Sequence, residues 1–116
     1  MKKYNQILAN EIVDTVIEKT GIDVRKKTRK QEYVYLRFVC FHFLKKKRPL
    51  ITLHEIGKSL NVNHATVVHG LRMYDKLIRY PDFRELDETV EKAIKIFPEP
   101  KNKYCNPSIY LKNAQI

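Results

Sequence analysis

The chain has 116 residues, of which 43% are hydrophobic, and this is enough for one domain with a single core but not for a second one. Its 23 lysines and arginines against 13 acidic residues give a formal charge of +10, which favours a polyanionic partner. No apolar run approaches the roughly 20 residues that span a bilayer, and acidic residues come too early for a signal peptide, so we expect a cytoplasmic protein without a membrane partner.

The first helix is predicted over residues 3–20, where apolar residues recur at the 3.6-residue period and Gly21 provides a stop. A basic loop follows, with the run Arg25-Lys26-Lys27-Thr28-Arg29-Lys30. No helix end accounts for all of this charge. The run is therefore a candidate for contact with a polyanion such as DNA.

The next helix is predicted over residues 30–47. Aromatic and β-branched residues are frequent in it, and their strand propensity alone would favour a β-strand. Its length and its apolar residues on nearly every face fit a central buried helix better. The run Lys45-Lys46-Lys47-Arg48 before Pro49 then fits a helix end, where cations complement the helix dipole, and phosphate contact is the less favoured alternative.

A helix-turn-helix is predicted over residues 52–80. Thr52 and Glu55 form the pattern of a capping box, so a helix begins near Leu53, and Gly57 in it would allow close approach of a neighbouring helix. Asn61-Val62-Asn63 then makes a turn, and Asn63 caps a second helix. The first turn of that helix offers small and polar residues of the kind that a recognition helix places in a major groove: Asn63, His64, Ala65 and Thr66. Two amphipathic helices without any DNA-binding role are the alternative.

A last helix is predicted after the break at Tyr80-Pro81, because the residue before a proline is disfavoured in a helix. Asp82 and Glu85 suggest a capped start, and a stripe of Leu86, Val90, Ile94 and Phe97 leads to an end at Pro98. Residues 98–116 show no period and are predicted to form an extended C-terminal tail. The prediction is an all-α domain of about five helices over residues 1–97.

Two segments of the chain together resemble a known signature: Leu53-His54-Glu55-Ile56-Gly57, and then Asn63-His64-Ala65-Thr66-Val67-Val68-His69-Gly70. They are similar to the C-terminal helix-turn-helix domain (domain IV) of the bacterial replication initiator DnaA, which usually reads Leu-Pro-Glu-Ile-Gly and then Gly-Arg-Asp-His-Thr-Thr-Val-x-His-Ala. Upstream, Glu32, Val34, Tyr35 and Arg37 match its Glu-x-Val-Tyr-x-Arg. The likeness covers roughly residues 5–95 and implies a Trp repressor-like, all-α fold that binds double-stranded DNA.

The resemblance also implies roles for single residues. His64 stands where a histidine contacts a base edge in the major groove, with Asn63 and Ala65 beside it. Arg29 lies at the basic-loop position whose arginine enters the minor groove. Further contacts to the DNA backbone are implied for two groups, which are Lys27, Lys30, Arg25 and Lys26 in the basic loop, and Thr66, Lys58 and Arg72 in the helix-turn-helix. His69 falls on a structural position.

Three departures from the family pattern affect specificity. Val62-Asn63 replaces Arg-Asp with one residue fewer, so the bidentate contact of an arginine to guanine is lost. Asn63 replaces an acidic residue that would accept a hydrogen bond from cytosine, and an amide pairs better with adenine. Ala65 replaces a threonine and offers only a methyl group. We therefore expect an altered target sequence or weak specificity.

No phosphate-binding loop of the type Gly-x-x-x-x-Gly-Lys-Ser/Thr is present, so we expect a stand-alone DNA-binding domain without ATPase activity. Regulation of replication or transcription is the expected role, with replication proteins as candidate further partners. An enzyme is not expected, because the spacing of His42, His54, His64 and His69 with Cys40 or Cys105 fits no zinc module. No metal, cofactor or small-molecule substrate is expected either.

His42 is more simply a packed core residue, and the cysteines are more simply free thiols. The main alternative function is a protein-interaction module on a helix-turn-helix scaffold that has lost sequence-specific DNA binding. In that case Arg29→Ala would leave DNA binding unchanged. Recognition of RNA is less favoured, because the aromatic residues lie in helices and not on an exposed sheet.

Overall fold

The structure, a computed structural model, describes residues 2–97, which form five helices and no strand. These are α1 (Lys2–Thr20), α2 (Gln31–Lys47), α3 (Leu53–Leu60), α4 (His64–Leu77) and α5 (Pro81–Ala93). The all-α prediction is confirmed, and α1 and α2 lie within one residue of their predicted bounds. The predicted tail and Cys105 lie outside the described residues. None of the described helices is long and apolar enough to cross a membrane.

Helix α2 is the centre of the fold and contacts each of the other four helices. Its buried side chains point in all directions, which a helix can sustain only when neighbours surround it: Leu36, Phe38, Val39, Cys40, Phe41, Phe43 and Leu44. The prediction of a central buried helix, made against its strand propensity, is confirmed. Burial raises the pKa of the free Cys40 thiol to about 12.

The cationic run at the end of α2 has structural contacts. Lys45 Nζ donates to the carbonyl of Ile51 at 2.8 Å, and Lys47 Nζ donates to the carbonyl of Phe97 at 2.7 Å. Both lysines are only 6% exposed. The run therefore fits the helix-end interpretation, and its buried lysines tie α2 to the segments before α3 and after α5.

The start and end of α5 differ from the prediction. The helix begins at Pro81 with Tyr80 as N-cap, and no side chain caps it, so the predicted capping pair of Asp82 and Glu85 is wrong. A proline at the first helical position needs no hydrogen-bond acceptor for its nitrogen and has a helical φ, and this sets the start two residues earlier than a cap at Asp82 would. The helix ends at Ala93, well before Pro98.

His42 joins three helices. Its ring lies flat on the ring of Tyr74 in α4, with centroids 3.8 Å apart, and the hydroxyl of Tyr74 donates to Oδ1 of Asp87 in α5. Burial, with a smaller effect of Lys46, lowers the pKa of His42 to about 4. The prediction that His42 is a packed core residue is confirmed.

We expect the partly buried His42 to make the fold sensitive to acid. Its ring is neutral when folded but binds a proton below about pH 6.5 when unfolded, so stability falls as the pH drops from 6.5 towards 4, by about 3 kcal/mol at most. Asp87 works in the opposite direction, because burial raises the pKa of its carboxyl. Denaturant unfolding at pH 7.5 and pH 4.5 should therefore show a smaller loss for His42→Gln than for the wild type. Equal losses would contradict this assignment.

Candidate nucleic-acid interface

Local capping defines the first helix of the helix-turn-helix. Oγ1 of Thr52 accepts the amide N–H of Glu55 at 3.1 Å, and Oε1 of Glu55 accepts the amide N–H of Thr52 at 2.9 Å, so the predicted capping box is confirmed. At the other end, Asn61 adopts φ 58°, and the N–H of Val62 donates to the carbonyl of Gly57 at 2.8 Å. This is the hydrogen bond of a Schellman motif, which turns the chain towards α4.

Two glycines permit close approach in this region. A Cβ on Gly57 would lie 2.5 Å from the carbonyl oxygen of Val62, so this glycine makes room for the backbone of the turn itself, and the prediction that it admits a neighbouring helix is wrong. That role belongs to Gly70, where a Cβ would lie 2.6 Å from Cε2 of Phe41 and 2.8 Å from Cδ1 of Phe38. Gly70 therefore lets α4 approach α2.

The N-terminus of α4 is exposed, as a recognition helix requires. Asn63 caps it, with Oδ1 accepting the amide N–H of Ala65 at 2.8 Å, while His64, Ala65 and Thr66 are exposed. Arg72, also exposed, comes seven residues after Ala65 and so lies on the same side of the helix. The opposite side is buried through Val67, Gly70, Leu71, Tyr74 and Leu77.

The cap restricts what Asn63 can do. A bidentate contact to adenine uses both the oxygen and the nitrogen of an asparagine amide. In the described structure the oxygen already accepts a backbone N–H. Only the amide nitrogen of Asn63 is therefore left to donate to a base while the cap is intact.

The basic loop, residues 21–30, is held by Arg37 of α2. The guanidinium of Arg37 donates to three loop carbonyls: Nε to Val24 at 2.8 Å, Nη1 to Thr28 at 3.0 Å, and Nη2 to Lys26. The side chain of Val24 is fully buried and anchors the loop in the core. The sequence pattern contained Arg37 but gave it no role, because carbonyls of a loop leave no signal in the sequence.

Arg25 is engaged by hydrogen bonds and an ion pair within the fold. Its Nε donates to the carbonyl of Ser59 at 2.7 Å, its Nη1 forms an ion pair with Asp14, and its Nη2 donates to the carbonyl of Asn10 at 3.3 Å. These contacts link the loop to the end of α3 and to α1. In the described fold, Arg25 therefore fixes the basic loop against α1 and α3.

The remaining loop cations lie beside the helix-turn-helix. Lys26, Lys27, Arg29 and Lys30 are exposed. A cleft of about 390 Å³ lies between the loop and residues 60–62, so the loop and the turn before α4 face each other. Lys30 instead lines a second groove, together with three acidic residues, Glu32, Asp82 and Glu85. Lys30 is therefore in a less positive environment than the cations before it.

Two exposed imidazoles meet at the start of the two helices. The rings of His54 in α3 and His64 in α4 have centroids 4.5 Å apart. His54 was not among the predicted contact residues, since ten positions of sequence separate the pair. His69, by contrast, is exposed, and its ring lies edge-on to that of Phe38 with centroids 5.8 Å apart.

A capped first helix, a tight left-handed turn and an exposed second helix define a helix-turn-helix domain of the DNA-binding class. The family model described as the bacterial DnaA protein helix-turn-helix matches residues 9–73, from within α1 to within α4. The chain belongs to this family, whose helix-turn-helix domain is not catalytic by itself. No solved structure matches the chain.

Proposed function

We propose that this domain binds double-stranded DNA with the N-terminus of α4 in the major groove and the basic loop on the adjacent backbone and minor groove. The observation that carries the proposal is the shared cleft between the loop and residues 60–62. Because Arg37 and Arg25 fix the loop there, its cations and the start of α4 are held as one surface. Such a surface can follow the backbone on either side of a groove.

The roles of the residues follow from their exposure. His64 and Ala65 contact base edges, with the amide nitrogen of Asn63 as a further donor. Arg29 enters the minor groove, and contacts to the phosphate backbone come from Lys26, Lys27, Thr66, Lys58 and Arg72. Lys30 contributes less because of the nearby carboxylates, and Arg25 supports the loop from inside.

The chemistry of this surface favours a target different from the usual initiator sequence. With no arginine at the start of α4, guanine recognition by a bidentate contact is absent there, and the cap occupies the oxygen of Asn63. Apolar contact of Ala65 with a thymine methyl is the remaining direct readout beside His64. We propose regulation of replication or transcription as the role, without ATPase activity, and replication proteins as further partners.

Binding to a duplex should depend strongly on salt. If about six cations contact phosphate, log K should fall against log salt with a slope of roughly −5. His64→Ala should abolish the sequence preference and Arg29→Ala should weaken binding, whereas Lys92→Ala on α5, an exposed cation outside the surface, should change little. A titration in a salt series, followed by sequencing of the fraction retained from a random duplex pool, measures all three effects.

The outcomes separate the two functions considered. An enriched motif that disappears with His64→Ala supports a sequence reader. Failure of the folded protein to retain DNA at low salt would instead support a protein-interaction module. Binding that hardly changes with salt would contradict a mechanism based on phosphate contacts, and recovery of the usual initiator sequence would contradict the altered specificity.

A further inference from the structure

A groove of about 690 Å³ lies between the N-terminal halves of α2 and α5. Tyr35 of α2 and Leu86 of α5 give it apolar walls, and both side chains are partly exposed. The ring of Tyr35 is held edge-on against the buried ring of Phe83, with centroids 5.5 Å apart. The groove is therefore a preformed place for apolar side chains.

The groove is acidic, although the chain as a whole carries a formal charge of +10. Its charged lining consists of one cation, Lys30, and three exposed carboxylates, those of Glu32, Asp82 and Glu85. Within residues 2–97, none of these three carboxylates forms an ion pair. Unpaired carboxylates beside an apolar wall favour an occupant that is both apolar and positively charged.

The chain itself contains a segment of this composition. Residues 109–112 read Ile-Tyr-Leu-Lys, which is three apolar side chains followed by a cation. The whole stretch from residue 100 to residue 116 has three lysines and no acidic residue. Its charge is therefore opposite to that of the groove, and its apolar run matches the two apolar walls.

This segment is long enough to reach the groove from the end of the described chain. The carbonyl of Phe97 accepts a hydrogen bond from Nζ of Lys47 at 2.7 Å, so the chain leaves α5 beside the last residue of α2. Helix α2 has 17 residues and is about 25 Å long. An extended chain covers that distance in about eight residues, and Ile109 comes twelve residues after Phe97.

We propose that residues 109–112 dock in the groove of their own chain, with the apolar side chains against Tyr35 and Leu86 and with Lys112 beside Glu85. Docking within one chain is favoured because the covalent link keeps the segment at a high effective concentration near the groove. The groove is thus a docking site for the C-terminal tail. This inference does not depend on the proposed DNA binding, because none of its contacts involves DNA.

NMR of the full chain tests the contact directly. We expect nuclear Overhauser effects between the methyl groups of Ile109 and Leu111 and the ring protons of Tyr35, and these should disappear in Leu111→Asp. A mixture of isotope-labelled and unlabelled protein separates contacts within one chain from contacts between copies. Signals between copies would place the tail of a second copy in the groove and would overturn docking within one chain.

Proteolysis measures the docked fraction, and α5 offers a matched control. Chymotrypsin cleaves after Tyr110, and the rate follows the undocked population when docking is fast relative to cleavage. Each rate is divided by that of a free peptide with the same sequence. Glu85→Lys should raise this ratio about fivefold, because an attraction becomes a repulsion. Glu88→Lys, at an exposed position of α5 that does not line the groove, should change it by less than about twofold.

A second charge reversal tests the pairing itself. Adding Lys112→Glu to Glu85→Lys should return the ratio towards that of the wild type, and circular dichroism would confirm that each variant keeps its helices. A wild-type tail that is cleaved as fast as the free peptide would overturn the inference. Equal effects of Glu85→Lys and Glu88→Lys would assign the attraction to the overall charge of α5 and would overturn docking in the groove as well.

Discussion

Replacing Arg37 by alanine is expected to weaken DNA binding by about a hundredfold while the five helices remain folded. Arg37 donates to the carbonyls of Val24, Lys26 and Thr28, and these contacts fix the loop that carries Lys27 and Arg29. Hydrogen bonds from a charged group contribute about 1.5–3 kcal/mol each, and a loss of about 3 kcal/mol in the positioning of the loop corresponds to about a hundredfold in affinity. Arg37 itself need not touch DNA.

Two further variants make this test specific. Arg37→Lys keeps the charge but cannot donate in three fixed directions, so most of the loss should persist. Arg84→Ala is the matched control, because Arg84 also donates to two backbone carbonyls, those of Ile78 and Arg79, but lies in α5. Fluorescence anisotropy with a labelled duplex gives the affinities, and circular dichroism gives the helix content. A folded Arg37→Ala protein that binds within about threefold of the wild type would contradict the role given to this residue.

Replacing Gly57 by alanine is expected to destabilise the domain by about 2–3 kcal/mol. The new Cβ would lie 2.5 Å from the carbonyl oxygen of Val62, and this backbone atom is fixed by the Schellman turn. Helix propensity alone predicts the opposite sign, since alanine is favoured over glycine by about 1 kcal/mol inside a helix. The sign of the measured change therefore distinguishes the tertiary clash from the local preference.

Thermal and urea unfolding would measure this change, with an expected fall in Tm of about 10 °C or more for a domain of this size. Lys58→Ala, at the exposed neighbouring position of α3, is the control and should alter stability by less than about 0.5 kcal/mol. A Gly57→Ala protein as stable as the wild type would show that the turn relaxes around the added methyl group.

Helix boundaries were predictable where they depend on residues close in sequence. The capping box of Thr52 and Glu55 and the cap at Asn63 are contacts within a few residues, so the pattern identified them. At α5 two local signals competed: the spacing of Asp82 and Glu85 suggested a capped start, but the proline before them began the helix. Because the helix was predicted to start too late, the buried residue Phe83 in its first turn was not recognised as part of the apolar stripe.

The basic loop was recognisable in the sequence as one charged segment, but the surroundings of each of its cations were not. The run from Arg25 to Lys30 reads as one basic segment, yet Arg25 is engaged with Ser59, Asp14 and Asn10, while Arg29 is exposed. Charge patterning gives the number of cations and not the direction in which each one points. That direction depends on which carbonyl or carboxylate the fold brings within reach.

The sequence by itself determined that this chain is an all-α domain with a helix-turn-helix and a basic loop, because period, capping and charge are local properties. Only the tertiary structure decided that Arg37 holds the loop, that Gly57 serves the turn while Gly70 serves helix packing, and that His54 meets His64. These roles depend on contacts between separate elements, such as Arg25 with Ser59, 34 residues further along the chain. Partners in such contacts are set by how the helices pack, which no single segment of the sequence specifies.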